Sequence, residues 1–184
     1  MTTPLPSAES VLHFWFDELR PAQWWARSDE VDETIRSRFG ALHQAAVHGE
    51  LAGWRDTAPG RLAEILVLDQ FSRNLHRDHA LAFASDPLAL ALAQLAVAVG
   101  ADRQLEVARR AFLYLPYMHS ERLSVHAQAR ELFATPGLER NRDAEARHLA
   151  ILERFGRYPH RNAALGRAST PEEVAFLLTP GSSF

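Results

Sequence analysis

The sequence predicts an all-α fold of about eight helices packed as antiparallel hairpins. Three observations carry this expectation. Apolar residues recur at helical spacing along most of the chain. Capping and stopping residues fall at the ends of those stretches. No segment alternates polar and apolar residues in the manner of a half-buried strand. Short connections make successive helices antiparallel neighbours. The 184 residues, without a linker or low-complexity tract, suit a single helical domain spanning 1–184.

Each element has its own justification. Ser7 caps a first helix whose inner face is Val11, Leu12, Trp15, Phe16 and Leu19, and Pro21 ends it. Trp24 and Trp25 lie in the connection that follows. Ser28 caps the second helix, with Asp29, Glu30, Asp32 and Glu33 in its first turns, where the helix dipole favours acids. Its stripe is Val31, Ile35, Phe39, Leu42 and Ala46, and Gly49 stops it. The third helix covers about 57–77. It is apolar almost all round at Ile65-Leu66-Val67-Leu68, which marks it as central. Asp86-Pro87 supplies the N-cap and first turn of a helix over 88–99, closed by Gly100. This helix occupies the longest apolar run, 88–101, and reads as a buried helix too short to span a bilayer.

The next helix covers about 103–115, where Pro116 stops or kinks it. Another covers 120–133, with Ser120 as its cap and Glu121 in its first turn. The helix over 138–155 ends at Gly156. Last, Ser169-Thr170-Pro171-Glu172-Glu173 starts a short helix reaching Leu178. The hairpins 86–115 and 120–155 have the size of tetratricopeptide-like units, without that repeat's sequence signature.

Composition removes several chemistries. All 20 basic residues are arginine, and the net charge is −3. Without lysine there is no Schiff-base enzyme, no P-loop and no kinase-type phosphate lysine. Without cysteine there is no thiol nucleophile, disulfide, zinc finger or cysteine-ligated cluster. No cofactor and no metal site are expected. The segment Met1 to Ser10 lacks the basic and apolar regions of a signal peptide, so the cytoplasm is the expected compartment and no membrane partner is expected.

Polar chemistry concentrates in three stretches. The first is Asp69-Gln70-Phe71-Ser72-Arg73-Asn74 on the central helix. At about 100° per residue, Asp69, Arg73 and His76 continue the apolar stripe instead of facing solvent. Asp69 and Arg73 are also one turn apart. They read either as a structural ion pair between helices or as a ligand-facing pair. The second stretch is Tyr114-Leu115-Pro116-Tyr117-Met118-His119-Ser120-Glu121, in which His119 beside a carboxylate has the makings of a general base or of a satisfied core histidine. The third is Arg154-Phe155-Gly156-Arg157-Tyr158-Pro159-His160-Arg161-Asn162, followed by Leu165-Gly166-Arg167. Between 154 and 168 there are four arginines and no acid. Their forks suit carboxylates and phosphates. They either bind an anion or pair internally with Asp69, Glu121 or Glu172. An RNA contact fits poorly with an acidic chain. A lone Glu145-Ala146-Arg147-His148 matches half of a di-iron motif that needs two such pairs and two further glutamates.

These stretches, with Val11-Leu12-His13-Phe14-Trp15-Phe16 at the start and Ala168-Ser169-Thr170 at the end, resemble the uncharacterised domain-of-unknown-function family numbered 924. The resemblance covers most of the chain. It implies an all-helical, tetratricopeptide-like fold and no established activity. That family usually shows proline where this chain has Ser72, and an aromatic near His76, so His76 is not carried over as a ligand.

The physical reading is one cleft lined by Asp69, Arg73, Asn74, His119, Glu121, Arg157, His160, Arg161 and Asn162. It serves a helical interaction module that takes an anionic small molecule or acidic peptide. Two alternatives stay open: an enzyme, such as a hydrolase, acting on a small anionic substrate with a histidine acid–base, and a purely structural polar network.

Overall fold

In the computed structural model, residues 4–183 are described. Residues 1–3 and 184 lie outside them, and with them the ends of the expected 1–184 domain and the start of the Met1–Ser10 segment. Eight helices form the fold, and no strand occurs among the described residues. Helix α1 covers 8–18 and α2 Asp29–Val47. Helix α3 covers 58–75 and α4 Asp86–Ala98. Helix α5 is Val107–Met118, α6 Leu123–Phe133, α7 Glu139–Phe155 and α8 Pro171–Leu177.

Local chemistry accounts for most boundaries. The Ser7 hydroxyl accepts the Ser10 N–H at 3.2 Å, and the Ser28 hydroxyl accepts the Val31 N–H at 3.3 Å. The Thr170 hydroxyl accepts the Glu173 N–H, while Glu173 Oε2 accepts the Thr170 N–H, closing a capping box. Gly156 ends α7 in the left-handed conformation, at φ 69°, where a side chain would be strained.

Five expectations change at this level. Helix α4 starts one residue early, with Ser85 at its N-cap and Asp86 already in the first turn. Pro116 lies inside α5, which runs on to Met118. The proline costs only the intrahelical bond to the Phe112 carbonyl, near the helix end, where a break is cheapest. Helix α6 begins at Leu123, so Ser120 does not cap it; its hydroxyl instead accepts the Arg122 N–H at 3.3 Å. Glu121 is thereby released from a first turn to a connection. Helix α3 ends at Leu75, and His76 stands in the turn after it, half-buried. Finally, α4 is buried on one face only: Ala89, Leu92, Ala93 and Ala96 point inward, while Leu95 is 54% exposed.

Two helices contain a widened, π-type turn, Phe14–Glu18 in α1 and Val67–Phe71 in α3. The wider turn disturbs the ordinary ladder, and side chains donate to carbonyls within and beside it. Trp24 Nε1 donates to the Trp15 carbonyl at 2.7 Å, Ser72 Oγ to that of Leu68 at 2.6 Å, and Arg73 Nη1 to that of Asp69 at 2.8 Å. Constant 100° reckoning fails beyond such a turn, which is why His76 leaves the buried stripe.

The main core joins α1 to α6. At its centre Phe14, Phe39 and Phe71 pack with ring centroids 5.2–6.2 Å apart, and Trp15 bridges Phe71 and Phe112. A second, far smaller cluster consists of Ile151, Leu152 and Tyr158 with Phe155 and Phe176. It is the apolar footing of the segment after α7.

Candidate functional site

The first polar knot sits where α3, the start of α4, the end of α5 and the 3-10 turn Pro159–Arg161 meet. Asp69 is 1% exposed. Its Oδ1 accepts from His119 Nδ1 at 2.7 Å and lies 3.1 Å from Arg73 Nη1, and its Oδ2 accepts from Gln70 Nε2 at 2.6 Å. Burial pushes the Asp69 pKa up. The Arg73 charge and the bonds from His119 and Gln70 outweigh it, so the carboxyl stays below the ordinary value and ionised. His119 keeps 15% of its side chain accessible. Burial lowers its pKa more than the Asp69 carboxylate raises it, and Arg73 lowers it further. The imidazole is therefore neutral near pH 7, with its Nδ1 proton on Asp69 and the lone pair on Nε2.

Two arginines flank this pair and share one carboxylate. Arg73 forms a fork on Asp86, at 3.0 and 3.1 Å. Arg161 Nη1 reaches the same Asp86 Oδ2 at 3.1 Å, and its Nη2 donates to the His119 carbonyl at 2.9 Å. Phe83 covers both guanidiniums, at 4.6 Å from Arg161 and 5.7 Å from Arg73. The two arginines balance Asp69 and Asp86, so the knot has no net charge.

A second knot adjoins the first through Tyr158. Glu121, placed in the α5–α6 connection, takes a fork from Arg167 at 2.7 and 2.9 Å and the Tyr158 N–H at 2.7 Å. Burial raises the Glu121 pKa, but the Arg167 and Tyr158 bonds bring it below the ordinary value. Asn162 accepts from Arg167 Nε at 2.9 Å and donates to Ser169 and Glu173. Arg157 forks onto Glu173 at 2.7 and 2.8 Å and holds the carboxyl down to about 2. His160 stacks on Tyr158, with centroids 5.7 Å apart.

Eight of the nine expected residues therefore lie in two adjoining knots. Asn74 does not. It donates to Asp32 at 2.7 Å on the opposite side of α3, where Arg77 also grips Asp32. The left-over arginine charge of 154–168 is taken up by distant acids: Arg154 by Glu172, Arg157 by Glu173, Arg161 by Asp86 and Arg167 by Glu121. The expected Glu121 and Glu172 pairings occur. Asp69 instead takes Arg73, from its own helix.

Sequence reasoning missed Asp86 and Glu173 as partners. An Asp before Pro, and a Glu three residues after Thr, read as helix-start signals; Glu173 also does that job here, while Asp86 lies in the first turn behind Ser85. It also missed a fully buried pair, His126 Nδ1 to Glu145 Oε1 at 2.6 Å. His126 Nε2 lies 2.8 Å from the Ser120 carbonyl and 3.2 Å from the Tyr158 hydroxyl. This pairing occupies the glutamate of the ExxH motif, and His148 Nδ1 turns back to the Ala144 carbonyl. No group of three or more His, Asp or Glu side chains suited to a metal occurs among the described residues.

Two surface hollows lie away from both knots. One, of about 700 Å³, is bounded by α1, the start of α3 and Arg109. The other, of about 450 Å³, surrounds Asp32, Asn74 and Arg77.

Comparisons agree with this architecture. The chain is similar to a protein of unknown function from Agrobacterium tumefaciens whose structure is known. The two are 37% identical, with a TM-score of 0.88, over 93% of this chain and 96% of that one. No curated protein matches. Residues 11–181 match the family described as bacterial protein of unknown function, DUF924, and the chain belongs to that family.

Proposed function

We propose that this protein binds a small molecule bearing an acidic group, and that His119 is its proton acceptor. One observation carries the reading: a buried carboxylate, fixed by the Gln70 amide and the Arg73 charge, holds His119 through Nδ1 at 2.7 Å. This is the arrangement by which a general base is oriented and kept in one tautomer. An anion seated at Nε2 favours the imidazolium, whose proton comes from water or, for dihydrogen phosphate, from the ligand itself, with Arg73 and Arg161 adjacent. The same proton transfer serves simple binding and acid–base catalysis on a small anionic substrate. The second knot has a different part in this reading. Its arginines are taken up by Glu121 and Glu173, so it positions the Tyr158–Arg161 segment instead of meeting the ligand.

The test is nitrogen NMR of histidine-labelled protein at pH 7, titrated with inorganic phosphate and with malonate. A saturable move of the His119 ring signals toward the imidazolium pattern is expected, absent in Asp69→Asn, together with a ligand-dependent rise in melting temperature. No movement with either anion overturns the reading and leaves the knot a structural network.

A further inference from the structure

We propose that the outer face of α4 is the contact between two copies of this chain, packed antiparallel about a two-fold axis at the level of Ala93. The face is formed by Pro87, Leu88, Ala91, Leu95, Ala98 and Val99. All but the half-buried Leu88 are exposed, and Val99 is 61% exposed.

Three features of this face point to a second copy. First, its six residues are all apolar, with the half-buried Gln94 at its edge; the stretch 80–98, which contains all of them but Val99, has a mean hydropathy of 1.6, although only 33% of it is buried. The single charged residue there, Asp86, is already held by Arg73 and Arg161. A face without charge is matched by another face without charge, and this chain carries one. Second, Leu88, Ala91, Leu95 and Ala98 repeat at the alternating spacing of three and four that forms a helix–helix seam. Third, the seam is self-complementary in size. Under the proposed two-fold, Leu88 meets Ala98 of the second copy, and Ala91 meets Leu95 of the second copy. Every large side chain faces a small one, and Pro87 faces Val99. Such an isologous contact closes on itself and stops at two copies. A membrane surface is the poorer occupant, because interfacial helices carry basic residues beside the apolar face, and 80–98 contains none.

Helix α4 has 13 residues, a seam about 20 Å long. That supplies less than the roughly 800 Å² per partner of a standard interface, so the dimer is weak. The test is sedimentation equilibrium of the full chain from about 5 μM to about 1 mM. The parent is expected to pass from monomer to dimer and to stop there. Leu95→Glu, at an exposed position that leaves the core intact, is expected to weaken association roughly 100-fold, because it buries an unpaired charge twice. Ala91→Lys is expected to do the same alone. Mixing the two variants is expected to restore a dimer, since the ammonium introduced in one copy then faces the carboxylate introduced in the other. A parent that stays monomeric to about 1 mM overturns the proposal. So does a Leu95→Glu chain that dimerises like the parent, or a mixture that does not associate. Flotation of the parent with phosphatidylcholine vesicles would place a lipid surface there instead.

Discussion

The part of the molecule built on α1 to α6 and the segment after α7 are held by different physics. The first buries a continuous aromatic and aliphatic core around Trp15, Phe39 and Phe71. The second packs its buried Tyr158 on Ile151 and Leu152 of α7 and is tied down by four arginine–carboxylate pairs. Burial by area is non-directional and tolerant of small shifts. Forked ion pairs contribute little net stability but admit few geometries. The difference teaches where each is used. The core supplies the cooperativity, and the ionic segment sets the place of a short, irregular stretch that carries Tyr158, His160 and Arg161 against His119.

The comparison is tested most heavily at the core. Phe71→Ala is expected to cost about 3–5 kcal/mol, since it removes the ring shared by Phe14, Trp15 and Phe39. Urea unfolding should show a lower midpoint with an unchanged slope, the whole molecule failing together. A local effect confined to α3 would break the picture of one cooperative core.

Acid probes both regions at once. Burial lowers the pKa of His43 and His160 to about 4 and that of His148 to about 3, and it also lowers His119 and His76. The unfolded chain binds protons near pH 6.5, before the folded one does. Stability is therefore full above about pH 7 and falls as pH drops from about 6.5 toward 4. Three of these five rings, His119, His148 and His160, adjoin the ionic segment. Hydrogen exchange at pH 5 should thus open 156–178 before α2 and α3. Simultaneous opening would show that the two regions are one unit.

Arg167→Ala sharpens the comparison within the ionic segment. It strips Glu121 of its fork and leaves the carboxylate half-buried with the Tyr158 N–H alone. The expected cost is about 2 kcal/mol, below the value for a fully buried pair because both partners keep some solvent. Melting should be lowered modestly, while proteolysis after α7 accelerates strongly.

How far this division was legible in the sequence differs between the two regions. The core was readable, because helical periodicity and the caps at Ser7, Ser28 and Thr170 are local signals. The central position of Ile65–Leu68 followed from the same kind of evidence. The site was half readable. Stretches rich in charge on buried faces must find partners, so convergence of the three stretches followed from physics. Which acid meets which arginine did not. Asp86 lies 75 residues from Arg161, and nothing at either position encodes the other. Widened turns were also invisible, since one extra residue in a turn leaves no mark on composition, yet it moved His76 off the stripe. The left-over arginine charge of 154–168 was a true local fact with a non-local answer.

The smallest expected effect is the most pointed test of that answer. Arg154 and Glu172 pair at 2.8 Å, with side chains 53% and 63% exposed. Such a pair is worth about 0–1 kcal/mol by charge. Yet the Arg154 guanidinium also lies over Phe155 at 4.7 Å and over Phe176 at 5.8 Å, so its body shields the small apolar cluster. The two contributions separate by substitution. Glu172→Gln removes the charge, keeps the shape and leaves Arg154 over the rings, so a change below about 0.5 kcal/mol is expected, insensitive to salt. Arg154→Ala removes the cover as well, and should cost about 0.5–1 kcal/mol more. If Glu172→Gln is instead the more damaging of the two, and its effect fades at high salt, even the exposed edge of this region is held by charge. The contrast with the apolar core would then extend across the whole segment, and not only its buried knots.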